Sequence, residues 1–186
     1  MSFTIMVDCD NVICNLQEVV VELFNQRYGT SYTLEDFTKY GVEECIPEDD
    51  AKKMQAMYAE PGIYDNVKPL PGAQKVLQKF IDYGFQVYIV TDAVADTYGE
   101  KVAWIKRYFS FIDDAHIVCM KHKWLFKCEV MIEDKWENLV AGHHYERVCM
   151  NFPWNQSTKD DIYGIYRCNK WDEILDVVTE ICTCDK

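Results

Sequence analysis

The sequence predicts an α/β protein with a doubly wound parallel sheet and a small helical cap inserted after the first strand. Short apolar runs alternate with stretches in which apolar residues recur at helical spacing, a pattern typical of strands that alternate with helices. Glycine follows several of the helical stretches at the place where a helix would end. A polar, aromatic and acid-rich stretch after the first strand offers no apolar run of strand length.

The predicted elements follow one another in a regular order. The first strand covers residues 3–7, where a compact apolar run ends at Asp8, and a helix follows it as far as Gly29. Beyond the insertion, the alternation of helices and strands resumes. The later elements are a helix at 73–81, a strand at 85–90, a helix at 102–109, strands at 116–120, 130–132, 148–152 and 162–166, and a helix at 171–178.

The insertion divides the chain into two regions. We expect residues 1–15 and 68–186 to form the α/β core and residues 16–67 to form the helical cap. Within the cap, residues 33–36 and 47–50 are typical helix starts, because acidic side chains are favoured in the first turn of a helix.

The composition limits the kinds of molecule that the protein is expected to bind. With 19 Lys and Arg against 31 Asp and Glu, the net charge is -12, and such a field repels nucleic acid polymers while a small anion next to a metal or lysine is allowed. No apolar run approaches the ~18–20 residues that span a bilayer, so we expect no membrane partner. The nine cysteines include no CxxC pair, which favours reduced thiols and a cytoplasmic location. A homodimer is compatible with the sequence.

Three predicted strands end in polar side chains, namely Asp8 with Asp10, Thr91 with Asp92, and Glu133 with Asp134. Ligands bind beyond the carboxyl ends of strands in open α/β sheets, so these side chains are expected to meet in one crevice. Oxygen ligands from Asp8, Asp10 and Asp134 suit Mg²⁺. Sharing one ion requires the strands before Asp8 and Asp134 to be neighbours.

A lysine between the second and third of these strand ends, Lys121 or Lys123, could offset the charge of a phosphate. Carboxylates, Mg²⁺, a lysine and a hydroxyl are the groups that phosphoryl transfer uses. The alternative interpretation is structural, because an Asp at a strand end often caps the next helix. That alternative suits any single Asp, but four such features in order favour a functional site.

The motif Asp8-Cys9-Asp10-Asn11-Val12 resembles the DxDx(T/V) signature of the haloacid dehalogenase (HAD) superfamily. Thr91, Lys123 and the pair Glu133-Asp134 resemble its second, third and fourth motifs. The resemblance extends over nearly the whole chain and implies a HAD-type, Rossmann-like core with a cap.

Three further segments, at residues 58–64, 69–73 and 152–155, resemble the 5'(3')-deoxyribonucleotidases within that superfamily. This resemblance implies a Mg²⁺-dependent hydrolase of phosphoric monoesters, with a nucleoside monophosphate as its substrate. Two alternatives are a HAD phosphatase for another small phosphate, such as a sugar phosphate, and a catalytically silent nucleotide-binding protein. The presence of both Asp8 and Asp10 argues against a catalytically silent protein, since a protein that only binds nucleotides needs no acid-base group.

The resemblance also implies individual roles. Asp8 would be the nucleophile that forms an aspartyl-phosphate, and Asp10 would protonate the leaving alkoxide and then deprotonate the attacking water. Thr91 would hold the phosphate, and Lys123 would bridge the phosphate and Asp8.

Mg²⁺ would be bound, by the same resemblance, through Asp8, the backbone carbonyl of Asp10 and Asp134, with Glu133 in support.

Two residues depart from the family, and one assignment has two candidates. Asp92 lies at the phosphate position where the similar nucleotidases have a serine, and Leu16 replaces an aromatic residue near the base. Lys123 fits the family's interval to the double acid, with Lys121 as the second candidate. An extra carboxylate beside a phosphate is unfavourable unless it turns away or meets a cation.

The cap is rich in aromatic residues, of which Phe37, Tyr40 and Tyr64 are the candidates for stacking on a nucleobase. Aromatic residues at helical spacing also pack in cores, which is the structural alternative. The pair His143-His144 raises the alternative of a softer metal site, although a surface turn is the simpler interpretation because the carboxylates already suit a hard ion.

Overall fold

The predicted fold class is confirmed by a computed structural model that describes residues 3–93, 95–156 and 159–184. Six strands form a parallel sheet in the order β3-β2-β1-β4-β5-β6. The strands are β1 (Thr4–Val7), β2 (Gln86–Thr91), β3 (Ile117–Cys119), β4 (Val130–Glu133), β5 (Glu146–Met150) and β6 (Ile165–Cys168).

Helices lie between most of these strands, as the alternation predicts. They are α1 (Leu16–Tyr28), α2 (Glu48–Met57), α3 (Ala73–Asp82), α4 (Ala95–Tyr108), α5 (Trp136–Ala141), α6 (Asp160–Tyr163) and α7 (Trp171–Cys184). Gly29 and Gly84 follow α1 and α3 with φ of +69° and +84°, the left-handed conformation that glycine adopts without steric cost.

The order of the strands reverses at β1. The chain runs outward from β1 through β2 to β3, and then returns to the other side of β1 to form β4. Val7 pairs with Ile89 of β2 and with Ile132 of β4. The strands that precede Asp8 and Asp134 are therefore neighbours, at the topological switch point where α/β sheets bind ligands.

The central strands are buried on both faces, which explains their continuous apolar runs. Met6, Val7, Met131 and Ile132 are fully buried. A parallel sheet covered by helices on both sides requires such strands, whereas a sheet with one solvated face would show alternating polarity.

The structure describes every residue of the range 16–67. This range contains α1, α2 and three 3₁₀ turns, and it contains no strand. Buried side chains of α1 and α2, such as Phe24 and Met54, belong to the same apolar cluster as Ile5 and Val7 of β1. The division into a cap and a core at residues 16 and 67 therefore stays a prediction.

Two of the predicted strands are shifted. Residues 162 and 163 of the range predicted as a strand at 162–166 belong to α6, whose Ile162 is exposed, and β6 starts only after Gly164 with its φ of +61°. The strand predicted at 148–152 ends at Met150, because Pro153 lacks the N–H that a sheet requires and a 3₁₀ turn begins there.

Two observations concern membrane-spanning helices and the state of the cysteines. Within the described parts of the chain, no helix combines the length and the apolar character that crossing a bilayer requires. The eight cysteines whose side chains are described are free thiols.

Candidate active site

Three carboxylates converge where β1 and β4 end. Asp8 follows β1, Glu133 closes β4 and Asp134 comes next, and the backbone N–H of Asp8 donates to the carbonyl of Ile132 at 2.9 Å. One oxygen of each carboxylate lies within 4.8 Å of the other two, and all three residues are buried. Adjacent parallel strands in register therefore bring these acids together.

Lys123 lies directly against this group. It begins the 3₁₀ turn Lys123–Leu125 after β3, and its Nζ lies 2.5 Å from Asp8 Oδ1 and 3.0 Å from Glu133 Oε2. Lys121, the second candidate, is exposed to solvent. One ammonium group cannot balance three carboxylates, so the cluster carries excess negative charge.

The electrostatics of the cluster reflect this excess. Burial raises the pKa of Asp8 and of Asp134, and the charge of Glu133 raises both further. Burial also acts to raise the pKa of Glu133, but Lys123 and hydrogen bonds, including one from Asn138, bring it down to about 2. Three hard oxygen donors with unbalanced charge fit a divalent cation such as Mg²⁺.

Asp134 is fixed from three directions. Its Oδ2 accepts hydrogen bonds from Trp154 Nε1 at 3.0 Å and from Asn11 Nδ2 at 3.4 Å. Its backbone carbonyl accepts from Asn155 Nδ2 at 2.8 Å. Asn11 has a φ of +58°, a conformation that Asn tolerates better than most side chains.

Arg167 of β6 supports this arrangement from behind. Its guanidinium donates to Asn155 Oδ1 at 2.7 Å and to the backbone carbonyl of Asn155 at 2.9 Å. Asp160 accepts two further hydrogen bonds from the same guanidinium, at 2.7 and 3.1 Å. Arg167 thus orients Asn155, which in turn holds the backbone of Asp134.

The Asp10 carboxylate lies outside the group of Asp8, Glu133 and Asp134 and has a lysine of its own. The Nζ of Lys101 in α4 lies 2.6 Å from Asp10 Oδ2, and the Tyr64 hydroxyl donates to Asp10 Oδ1 at 2.8 Å. The side chain of Asp10 therefore does not join Asp8 and Asp134, contrary to the expectation from the sequence.

Lys101 also joins Asp10 to the end of β2. Its ammonium donates to Thr91 Oγ1 at 2.9 Å and to the carbonyl of Asp92 at 2.8 Å. Burial acts to lower the pKa of Lys101, but Asp10 and neighbouring acidic groups raise it above its usual value. Thr91 is buried in this network, whereas the Asp92 residue is exposed.

Sequence reasoning missed Lys101, although a signal exists. Lys101 precedes Trp104 by three residues and Ile105 by four, so it shares the face of α4 that these buried side chains mark. A lysine on a buried helix face requires a partner, since an unpaired buried charge is costly.

A cavity of about 420 Å³ opens beside Asp10. Its lining comes from the DxD loop, from residues 16–67 and from two later residues, and includes Asn11, Leu16, Gln17, Phe37, Lys39, Tyr40, Glu43, Gln55, Tyr58, Lys135 and Trp154. The Tyr58 hydroxyl donates to Gln17 Oε1, and Gln55 Nε2 donates to Glu43 Oε2 at 2.7 Å. Apolar and hydrogen-bonding groups thus share one wall, as in small-molecule sites.

The three aromatic candidates have different surroundings. Phe37 is buried and Tyr40 is half exposed, with Lys135 Nζ 4.2 Å from the centre of its ring, and both line this cavity. Tyr64 instead lines a separate cavity of about 200 Å³ beside Trp104, and its hydroxyl is bound to Asp10. The structure therefore does not bring Tyr64 to the place where Phe37 and Tyr40 could meet a base.

The two adjacent histidines lie at the surface. His143 Nδ1 is 3.4 Å from Arg147, and His144 Nε2 is 3.1 Å from the carbonyl of Phe126. Among the described residues, neither histidine belongs to a group of three side chains that could share an ion. The simpler interpretation, a surface turn, matches this geometry.

Comparison with known proteins links these features to a family. The family model described as "5' nucleotidase, deoxy (Pyrimidine), cytosolic type C protein" matches residues 2–183. A Staphylococcus aureus protein with the provisional name 5'(3')-deoxyribonucleotidase is 28% identical over 173 residues, which is 92% of each chain. The 5'(3')-deoxyribonucleotidase of Bacillus subtilis is 23% identical over 176 residues, or 94% of this chain and 97% of the relative.

The fold is also similar to that of a solved structure. The HAD family hydrolase of Deinococcus radiodurans R1, solved with bound phosphate and sodium, matches with a TM-score of 0.65 at 13% identity. The match covers 97% of this chain and 96% of the other.

Proposed function

Because this chain belongs to the family of the 5' nucleotidase, deoxy (pyrimidine), cytosolic type C proteins, we propose that it is a Mg²⁺-dependent phosphomonoester hydrolase acting on (deoxy)nucleoside monophosphates. Family membership confirms the resemblance drawn from the sequence motifs, and the names of the relatives support the substrate class. The observation that carries the proposal is that Asp8 and Asp10 point into different surroundings, each against its own buried lysine.

Asp8 is the nucleophile in this proposal. A carboxylate oxygen of Asp8 attacks phosphorus, and the bond from phosphorus to the ester oxygen breaks, which gives an aspartyl-phosphate and an alkoxide. Lys123, 2.5 Å from Asp8 Oδ1, holds that carboxylate and balances part of the charge of the incoming phosphate. Thr91 Oγ1, buried at the end of β2, holds a phosphate oxygen.

Asp10 acts as the acid and then as the base. Its carboxyl proton passes to the alkoxide, and the resulting carboxylate takes a proton from the water that attacks phosphorus in the second step. That attack releases inorganic phosphate and regenerates Asp8 and the protonated Asp10. Tyr64 and Lys101, which contact one oxygen each, hold this carboxyl group in place.

The donor set fits Mg²⁺. Asp8, Asp134 and the backbone carbonyl of Asp10 would hold the ion. Glu133 supports the site, because its oxygens already accept from Lys123, from Asn138 and from backbone N–H groups. The bound ion would supply positive charge that reduces the repulsion between a phosphate dianion and the carboxylates.

The cavity beside Asp10 is the proposed nucleoside site. Its volume of about 420 Å³ is typical of small-molecule sites. Phe37 and Tyr40 offer aromatic surface for a base, and residues 16–67, the proposed cap, supply most of the wall. Asp92 lines a different cavity together with Lys121, Lys123 and Lys135, whose positive charges would reduce the repulsion between the Asp92 carboxylate and a phosphate.

A screen of phosphate release over nucleoside, deoxynucleoside and sugar monophosphates, with Mg²⁺ and with EDTA, tests the proposal. We expect the highest kcat/KM on nucleoside monophosphates, loss of activity in EDTA and rescue by Mg²⁺. Asp8→Asn is the matched control, since its amide cannot attack phosphorus. A preference for sugar phosphates would contradict the proposed substrate class. Turnover by Asp8→Asn would contradict the assignment of Asp8 as the nucleophile. The absence of hydrolysis of any ester would overturn the enzyme assignment.

Location and assembly complete the proposal. Free thiols, several of them fully buried, support a cytoplasmic protein. A homodimer remains part of the proposal, and light scattering of the purified chain decides between a monomer and a dimer.

A further inference from the structure

Two thiols flank the carboxylate of Asp10. Cys9, Asp10 and Cys14 each offer one ligand atom, and these three atoms lie within 4.8 Å of one another. The Sγ of Cys14 lies 3.9 Å from Asp10 Oδ1, and both cysteines are fully buried free thiols. The nucleotidase chemistry proposed above gives these thiols no role.

The backbone sets this arrangement. After β1 the chain makes a tight turn in which the N–H of Ile13 donates to the carbonyl of Cys9 at 3.0 Å. Asp10 and Cys14 are paired as bridge residues, and Cys14 is paired in turn with Pro69. The two thiols are therefore brought together by fixed backbone contacts, so that little ordering is needed before an ion binds.

The donor set differs from that of the three carboxylates. Two thiols and one carboxylate suit Zn²⁺ or Cd²⁺, whereas Mg²⁺ prefers oxygen ligands alone. Asp8, Glu133 and Asp134 form the other group of possible ligands, so the two clusters have no side chain in common, although the backbone carbonyl of Asp10 is a proposed Mg²⁺ ligand.

The charges of the occupied cluster would balance. Two thiolates and the Asp10 carboxylate carry three negative charges, and a divalent cation with Lys101 carries three positive ones, since Lys101 Nζ lies 2.6 Å from Asp10. A neutral total matters because an uncompensated charge in the interior is costly. Binding forms two metal–sulfur bonds and releases the two thiol protons to solvent.

Asp10 is the partly exposed member of this cluster. The side chain of Asp10 is 26% exposed and lines the cavity of about 420 Å³, whereas Cys9 and Cys14 are fully buried. An ion in the cavity can therefore contact the Asp10 carboxylate, and both sulfur atoms lie within 4.8 Å of one of its oxygens.

We propose that Cys9, Asp10 and Cys14 form a site for a thiophilic divalent cation, Zn²⁺ or Cd²⁺, separate from the carboxylate cluster. Occupation of this site ties the Asp10 carboxylate to the ion and removes it from acid-base chemistry. The cation therefore inhibits hydrolysis. This inhibition rests on the proposed function, whereas the binding of the cation does not depend on it.

Titration of the full chain with Cd²⁺ in saturating Mg²⁺ tests the binding. We expect an ultraviolet thiolate-to-cadmium absorption band that grows to one equivalent of ion, with release of two protons. The band should be lost in Cys9→Ala and in Cys14→Ser. Two variants are used so that one of them still tests the proposal if the other fails to fold. Cys168→Ser, which removes a buried thiol of β6 elsewhere in the sheet, should keep it. An unchanged band in both site variants would overturn the proposal.

Inhibition is measured separately, again in saturating Mg²⁺. We expect Zn²⁺ and Cd²⁺ to inhibit the wild type, and Cys14→Ser to raise the half-inhibitory concentration at least about tenfold. Equal inhibition of Cys14→Ser and the wild type would mean that the cation acts at the carboxylate cluster and would overturn the inhibitory role. If the protein hydrolyses no phosphomonoester, the absorption titration still decides whether the site exists.

Discussion

The ammonium of Lys101 lies 2.6 Å from the Asp10 carboxylate, although the two residues are separated by 91 positions in the chain. Lys123 lies 2.5 Å from Asp8 in the same way. The two acids of the first loop are thus held by different buried lysines, one from α4 and one from the turn after β3. In the proposed mechanism, this separation lets Asp8 act as the nucleophile while Asp10 transfers protons.

Lys101→Met should lower kcat on nucleoside monophosphates about a hundredfold, the cost of removing one preorganised charged donor. The reason is that Asp10, Thr91 and the carbonyl of Asp92 all lose their shared partner. Lys106→Met is the control, because Lys106 lies on the same helix but is exposed and pairs with the exposed Asp114. Equal kcat values for the two variants would contradict a role for Lys101.

Lys123→Met should lower kcat by a similar factor, about a hundredfold, because the charge between Asp8 and the phosphate is lost. Lys121→Met should behave like the wild type, since Lys121 is exposed while Lys123 is buried against Asp8. Steady-state kinetics with matched thermal denaturation curves separate catalysis from folding. If Lys121→Met is the inactive variant, the third motif is displaced by two residues.

The residues that directly follow strands were predictable from the sequence. Asp8, Thr91 and Asp134 lie at the ends of β1, β2 and β4, and parallel strands bring their carboxyl ends to one edge. Lys101 and Arg167 were not predicted, because each lies within an element, and their partners are fixed only by how α4 and β6 pack. Contacts of that kind depend on tertiary structure rather than on local pattern.

Tyr40→Leu should lower kcat/KM for nucleoside monophosphates more than for p-nitrophenyl phosphate. Tyr40 lines the cavity with half of its surface exposed, and stacking on one base contributes roughly 1–3 kcal/mol, or about 5- to 150-fold. Tyr64→Phe should instead lower turnover of both substrates, because it removes the hydrogen bond to Asp10. Equal losses in Tyr40→Leu would indicate damage to packing and would favour a phosphatase without base recognition.

The aromatic cap residues show where pattern reasoning fails. Phe37, Tyr40 and Tyr64 all occur in an aromatic-rich stretch, and spacing alone does not distinguish them. The structure separates them by neighbours: Phe37 packs beside Tyr32, Tyr40 faces Lys135, and the Tyr64 hydroxyl reaches Asp10. Three-dimensional neighbours, rather than residue type, decide which ring can meet a ligand.

Removal of the metal should destabilise the folded protein in a pH-dependent way. Because burial raises the pKa of Asp8 and Asp134, the metal-free folded state binds more protons than the unfolded state. The free energy of unfolding in EDTA should therefore rise as the pH falls through the raised pKa values of these two carboxyl groups. Glu133, whose pKa is lowered to about 2, has the opposite effect, because the stability that it contributes at neutral pH is lost as the pH falls from about 4.5 toward about 2.

Calorimetry with EDTA and with Mg²⁺ measures this effect. Mg²⁺ should raise the Tm of the wild type, by about 2–4 °C for each kcal/mol that binding contributes. Asp134→Asn should have a higher Tm than the wild type in EDTA and a smaller response to Mg²⁺, because the amide removes one buried charge. If Mg²⁺ does not change the Tm of the wild type, the metal assignment is contradicted.

Arg167→Lys should raise the Mg²⁺ concentration needed for half-maximal activity by about 10- to 100-fold, the usual cost of disturbing the residues that orient a metal ligand. A lysine keeps the charge, but it cannot contact both atoms of Asn155 and both oxygens of Asp160 as the planar guanidinium does. Asn155 then loses the contacts that fix its hydrogen bond to the backbone of Asp134. Arg147→Lys is the control, because Arg147 binds the backbone carbonyls of α5 and its neighbours rather than Asn155. A defect in kcat that excess Mg²⁺ does not relieve would show that Arg167 stabilises the fold and does not position the metal ligand.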